Sequence, residues 1–260
     1  MKNLICTYGD KGGCGKSTEI RGLAESLIAA DKNPLLVDAD PTVGHLVGYL
    51  GVRDGDGYPV IPQPANGVRT YALHGSADDR VEFGAIVDSG RDLILVDLPA
   101  ASATLLKAVE ADYGLFAYAH ERGYDVTLVC VLTPDGSSML AVQDAADLDP
   151  RATIVAVKNL AFGDPKHFIL WDGSPEENVP PATGKAIVAE RGAEIVLPAL
   201  DRGTLALIGL HRLTFREAVK SPYLIGPRQR QVARFLSECR EQFESVGAPL
   251  GFAPAKRSAA

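Results

Sequence analysis

Leu4-Ile5-Cys6-Thr7-Tyr8-Gly9-Asp10-Lys11-Gly12-Gly13-Cys14-Gly15-Lys16-Ser17-Thr18 is the stretch that decides the fold. A short apolar run breaks into a glycine-rich turn, and Lys16-Ser17-Thr18 then opens a stretch of helical period. Strand, turn and helix in this order aim several backbone N–H groups, and the positive end of the helix dipole, at one point in space. A polyphosphate fits that point. Gly12, Gly13, Cys14, Gly15, Lys16, Ser17 and Thr18 are expected to cradle it, with Lys16 between the β- and γ-phosphates and the Ser17 hydroxyl on Mg²⁺. The general pattern G-x-x-x-x-G-K-[ST] asks for glycine at position 10, where this chain has Asp10, and adds a second lysine, Lys11. A loop of this size serves its own phosphates with Lys16, which leaves Lys11 to reach elsewhere.

Working outward, Pro34-Leu35-Leu36-Val37-Asp38-Ala39-Asp40-Pro41 reads as a buried parallel strand with two acids at its carboxyl end, and Leu93-Ile94-Leu95-Val96-Asp97-Leu98-Pro99 as a second strand ending in an acid. Ligands of open α/β sheets sit outside the carboxyl ends of the strands, so Gly9, Asp38, Asp40 and Asp97 are expected to converge on one crevice. Strands are predicted at 3–8, 35–37, 68–72, 93–96, 127–132, 153–157 and 194–197, with helical periods between most of them. This alternation predicts an α/β fold: a doubly wound, mostly parallel sheet with helices on both faces. At 260 residues and 46% hydrophobic content, the chain has enough apolar mass for one such domain, expected over residues 1–246.

Lys11-Gly12-Gly13-Cys14-Gly15-Lys16-Ser17 resembles the deviant Walker A motif, K-G-G-x-G-K-[ST], of the ParA/MinD family of dimerising P-loop ATPases. The resemblance implies Mg-ATP as the ligand and hydrolysis of ATP as the activity. It implies that Lys11 crosses a homodimer interface to the partner's phosphates, so that Lys11, Lys16 and Asp40 form the catalytic set. Asp40 matches the aspartate that orients the attacking water, Asp97 the Walker B aspartate near Mg²⁺, and Asp38 a further carboxylate near the metal, so Ser17, Asp38 and Asp97 form the metal set. The strand running to Asn159 matches one whose asparagine meets the adenine edge, and Pro198 follows the next strand where the family's chain wraps the base. An amide suits adenine because it offers both a donor and an acceptor; the alternative for Asn159 is a turn residue.

Charge bears on partners. Between Lys185 and Arg240 there are ten Lys/Arg against five Asp/Glu, a local excess of +5 in a chain of net −7. Such a region is an electrostatic footprint for polyanions. By resemblance to the ParA branch it implies sequence-independent DNA binding through Arg212, Arg216, Lys220, Arg228, Arg230 and Arg234; the alternative is a set of solvated helix faces. A stimulating partner protein is also implied. The last helical period, about 228–246, carries Val232, Phe235, Leu236, Cys239, Phe243 and Val246 on one stripe, and 247–260 lacks an apolar period and is expected to be an unstructured tail. Membrane attachment is therefore not expected. Neither a signal peptide nor a run of roughly 18 apolar residues is present. Cys6, Cys14, Cys130 and Cys239 form no CxxC pair, and the five histidines show no ligand spacing. Both observations fit a cytoplasmic protein.

Two irregular stretches stand out. Residues 51–66 follow Asp40, where the family keeps a nucleotide-sensing loop. Residues 164–183 hold four prolines and Trp171, either as a partner contact through His167, Phe168, Trp171 and Asp172 or as a loop whose apolar residues tuck into the core. The chain departs from the family at Thr42, at Asp97-Leu98-Pro99-Ala100 and at Glu19. These departures leave open relatives that accompany conjugative transfer or polysaccharide export. Three further readings are a reductase like the nitrogenase iron protein, which needs two cysteines in glycine-rich settings, a P-loop small-molecule kinase or synthetase using 51–66 as its acceptor loop, and a switch that binds ATP without hydrolysing it.

Overall fold

The computed structural model describes residues 2–40, 44–73 and 75–253. The elements run β1 (Lys2–Tyr8), α1 (Lys16–Ala29), β2 (Leu35–Asp38), α2 (His45–Leu50), β3 (Arg69–Thr70), α3 (Ala77–Val87), β4 (Leu93–Asp97), α4 (Ala103–Tyr113), α5 (Leu115–Glu121), β5 (Tyr124–Leu132), α6 (Leu140–Leu148), β6 (Thr153–Asn159), α7 (Ile169–Asp172), α8 (Thr183–Arg191), β7 (Gly192–Leu197), α9 (Arg202–Leu210), α10 (Phe215–Ala218) and α11 (Gly226–Val246). The seven strands form one sheet in the order β3-β2-β4-β1-β5-β6-β7, and every pairing between them is parallel. The order places β1, and with it the start of the glycine-rich turn, at the middle of the sheet between β4 and β5.

Burial on both faces explains why these strands read as continuous apolar runs. Leu4, Cys6 and Tyr8 of β1 and Leu128, Cys130 and Leu132 of β5 join a core that also holds Phe83, Leu106, Phe116 and Val142. Ile5, Val129 and Val131 point the other way, into a core with Leu23, Ile208, Phe235 and Phe243. The doubly wound expectation holds, with period-two alternation sorting each strand between the two layers.

Two expectations change, and one pair of alternatives is decided. The strand expected at 68–72 narrows to Arg69–Thr70, because β3 is an edge strand that among the described residues pairs with β2 alone. Phe168 and Trp171 are fully buried, so the core reading of 164–183 holds for these residues and the partner-contact reading does not. Trp171 Nε1 donates to Glu194 Oε2 at 2.7 Å, Lys158 Nζ lies 2.6 Å from Glu194 Oε1 and 2.9 Å from Asp172, and Lys185 donates to Asp172. Residues 247–253, expected to belong to the tail, instead pack at the amino ends of the strands. Leu250 and Phe252 are buried, Asn3 Nδ2 donates to the Ala248 carbonyl at 2.9 Å, and Thr127 Oγ1 donates to the Pro249 carbonyl at 2.8 Å. Proline at 249 ends the long helix but leaves a short 3₁₀ turn at 248–250 that carries Leu250 inward. Residues 254–260, Pro41, Thr42 and His74 lie outside the described residues.

Candidate nucleotide site

The turn between β1 and α1 is shaped by glycines, Gly13 through its backbone conformation and Gly15 through both its conformation and its lack of room for a side chain. Gly13 and Gly15 hold φ values of +71° and +104°, and a Cβ on Gly15 would stand 2.3 Å from Asn159 Nδ2. Gly15 is the N-cap of α1 and offers no capping side chain, so the first N–H groups of the helix are left for a ligand. A cavity of about 340 Å³ opens there. Gly13, Gly15, Lys16, Ser17 and Thr18 form one wall, and Asp38, Asp40, His45 and Asp97 through Ala100 form the other. The expected convergence of strand ends is met, since β1, β2 and β4 all deliver residues to this space.

The loop lysines divide. Lys16 is buried and its ammonium donates to the carbonyls of Gly9 at 2.8 Å and Lys11 at 2.9 Å, staying inside the loop. Lys11 does not line the cavity; its ammonium donates to Thr133 Oγ1 at 3.0 Å and pairs with Asp135, just past the end of β5. That pairing, with hydrogen bonds from Ser137 and Thr133, holds the Asp135 carboxyl well below the usual carboxylate range. Asp10, which stands in place of the pattern's glycine, accepts the Ala103 N–H at 2.7 Å and so ties the loop to the start of α4.

The acids differ in how they are used. Asp97 is buried, and burial pushes its pKa up to about 6, against hydrogen bonds from Ser17 and Thr7 that lower it and the charge of Asp38 that raises it further. Thr7 Oγ1 donates to Asp97 Oδ1 at 3.1 Å and accepts the Leu98 N–H at 2.9 Å. Asp38 is equally buried and gives its oxygens to backbone: Oδ2 accepts from Leu46 at 2.8 Å and Val47 at 3.1 Å, and Oδ1 from Asp40 at 3.2 Å. It anchors the first turn of α2 and thereby sets where Asp40 and His45 stand. Two buried carboxylates beside a hydroxyl are a hard oxygen set that a divalent cation such as Mg²⁺ relieves, so the residues present fit that ion.

Four of the expected ligand residues do not line the cavity: Gly12, Cys14, Asn159 and Pro198. Cys14 is buried with its Sγ on the Lys11 carbonyl at 3.3 Å. Pro198 is buried after β7. Asn159 spends its amide on the protein: Nδ2 donates to the Cys14 carbonyl at 2.8 Å and Oδ1 accepts the Ala161 N–H at 3.0 Å. Sequence reasoning passed over Thr7, His45, Thr133 and Asp135. For the last two the signal was present, since Leu132-Thr133-Pro134-Asp135 is another apolar strand running into a polar end.

The basic residues fall into two groups. Arg228 pairs with Asp201 at 2.8 Å, Arg234 with Glu238 at 2.6 Å along α11, and the Arg212 guanidinium lies 4.2 Å from the Tyr58 ring centroid. Arg216, Lys220 and Arg230 are exposed and, among the described residues, outside any ion pair. Residues 51–66 turn away from the phosphate cavity. Arg53 there donates to the Arg212 carbonyl at 2.6 Å and to Glu217 at 3.4 Å.

No protein-family model matches the chain, and no curated protein matches it. Among solved structures it is similar to the MinC:MinD cell division protein complex of Aquifex aeolicus, with 16% identity, 90% of this chain and 94% of that one covered, and a TM-score of 0.46. MinD of Pyrococcus horikoshii complexed with Mg-ADP is similar at 18% identity, 92% and 96% coverage and a TM-score of 0.45. So is a Borrelia burgdorferi B31 structure bound to AMPPNP and described as a plasmid partition protein, at 13% identity, 91% and 98% coverage and a TM-score of 0.46. Among the described residues no helix is long and apolar enough to cross a membrane, and no group of three or more His, Cys, Asp and Glu stands ready to hold a metal.

Proposed function

We propose that this chain is a Mg-ATP-dependent ATPase that dimerises around its nucleotide and switches its affinity for a polyanionic surface, DNA foremost, and for a protein that stimulates hydrolysis. The observation that carries the proposal is the division of labour between the loop lysines. Lys16 is buried within the loop, whereas Lys11 leaves its own cavity and ends about one-third exposed at the rim. A cation at the front of a phosphate loop that does not serve its own phosphates suits a second copy of the site.

In this reading the N–H groups of Gly13 through Thr18 hold the phosphates and Lys16 swings from the Gly9 and Lys11 carbonyls onto them. Ser17 and Asp97 would hold Mg²⁺, with Asp38 as the further carboxylate beside it, and the ion would supply charge neutralisation on the phosphate oxygens. Asp40 orients the attacking water from the far wall, and Lys11 of the second protomer completes the charge stabilisation. Lys11 has to leave Thr133 and Asp135 to do so, which makes the isolated protomer slow. The exposed cations Arg216, Lys220 and Arg230 are the strongest candidates for phosphate contacts with DNA, ahead of the ion-paired Arg228 and Arg234. Arg212 keeps one face on Tyr58.

The kinase reading gains nothing from the loop at 51–66, which packs toward α9 and α10 rather than the cavity. The reductase reading meets a Cys130 buried inside β5.

Light scattering with Mg-ATP and an Asp40→Ala variant, against ADP and against Lys11→Ala, tests the proposal. The expected result is a dimer that forms only with ATP and is lost in Lys11→Ala while ATP binding persists. A monomer throughout would overturn it.

A further inference from the structure

Asn159 sits at the carboxyl end of β6, 4% exposed, and is separated from the phosphate loop by 145 positions of sequence. Its Nδ2 lies 2.8 Å from the Cys14 carbonyl oxygen, and its Oδ1 is taken by the Ala161 N–H at 3.0 Å. The carbonyl it holds belongs to the Cys14–Gly15 peptide. In a trans peptide the C=O and the N–H point in opposite directions. Fixing the Cys14 oxygen toward β6 therefore turns the Gly15 N–H the other way, to the side where Gly15 lines the phosphate cavity. The fit is close enough that Gly15 has no room for a Cβ against the amide nitrogen.

We propose that Asn159 is a positioning residue for the polyphosphate: acting through the Cys14–Gly15 peptide, it aims the Gly15 N–H at the ligand, and it does not read the base. The inference rests on the nucleotide-site reading above and deepens it. An amide at this place is required as a donor to Cys14 and an acceptor from Ala161, a pair of demands that an aspartate meets only by half and an alanine not at all. The loop then carries its anion-binding geometry before any ligand arrives, and the energy of the Asn159 bond appears as phosphate affinity regardless of what the phosphate is attached to.

Calorimetric binding of ATP, GTP and inorganic tripolyphosphate to the full chain, wild type against Asn159→Ala and Asn159→Ser, tests this. Asn159→Ser keeps a hydroxyl to accept the Ala161 N–H but is too short to reach Cys14, so it separates loop positioning from folding if the alanine variant fails to fold. The expected result is an affinity loss of about tenfold, the scale of one buried hydrogen bond, equal for all three ligands, with the ratio of ATP to GTP affinity unchanged. A loss confined to ATP, with tripolyphosphate binding intact, would overturn the inference in favour of base recognition, as would undiminished binding of all three. A wild-type protein that binds none of them would overturn the nucleotide-site reading itself, and this inference with it.

Discussion

Lys11 and Asp135 form a contact that competes with any contact Lys11 makes to a second protomer. Removing the acid takes away the ion pair and leaves Lys11 only its bond to Thr133, without touching the cavity, so Asp135→Ala is expected to shift ATP-dependent association toward the dimer by several-fold, read as a lower midpoint in a concentration series by light scattering. Unchanged or weaker association would show that the pair holds the loop together rather than holding the lysine back. Glu19 presents a different case. It is fully buried one turn into α1, both carboxyl oxygens lack a hydrogen-bond partner among the described residues, and burial, with the nearby charge of Asp97, pushes its pKa up to about 8. A buried polar group without a partner is destabilising, so Glu19→Met is expected to raise the urea midpoint, with a gain of about 1–3 kcal/mol in stability. A loss would mean that the carboxyl has a partner, such as an ordered water, in solution.

Between elements, the segment joining β6 to α8 is held by a buried ring and a charge cluster. Trp171→Ala is expected to cost about 3–5 kcal/mol by chemical denaturation, the range for deleting a large core aromatic. Asp172 lies in that cluster, paired with Lys158 and Lys185. Burial works to raise its pKa, but hydrogen bonds and charge from Lys158 and Lys185 outweigh that and hold it below its ordinary value. Its contribution is therefore complete above the unfolded pKa, about 4, and fades as pH falls toward the folded one. The stability gap between wild type and Asp172→Asn should be widest near neutral pH and narrow as the solution is acidified below the ordinary carboxylate pKa of about 4, in paired urea titrations. The same elements show what sequence makes legible. Six of the strands are legible in the sequence because each carries a run of β-branched and aliphatic residues with buried positions, whereas the edge strand β3 is two exposed residues, and the cavity is legible because glycines and strand-end acids are local signals. Where Lys11 goes, what Asn159 holds and how Trp171 is covered depend on residues 23 to 145 positions away. No local pattern carries those distances.

For the molecule as a whole, charge and chain closure make separate predictions. If Arg216, Lys220 and Arg230 meet DNA phosphates, replacing all three with Glu should weaken duplex binding in the ATP state and lower the slope of log K against log salt by about 0.9 per lost contact. Arg234→Glu, which breaks a pair along its own helix, should leave that slope nearly unchanged. Ending the chain after Val246 removes Leu250 and Phe252 from the core and the two hydrogen bonds to Asn3 and Thr127. Its expected effect is a clear drop in thermal midpoint rather than the neutral outcome of trimming a loose tail.

The position of β1 in the sheet also sets a schedule for synthesis. Its neighbours β4 and β5 begin at Leu93 and Tyr124, and Asn159 comes later still. A ribosome adding about 5–20 residues per second needs on the order of ten seconds to travel from Cys14 to Asn159. Through that interval the glycine-rich turn has emerged while its flanking strands and its brace have not. Parallel pairing across such separations is slow in any case. The nascent chain therefore completes the surroundings of this turn late in folding, and if the turn holds a nucleotide as proposed, the ligand can trap the finished form only once β5 and Asn159 have joined it.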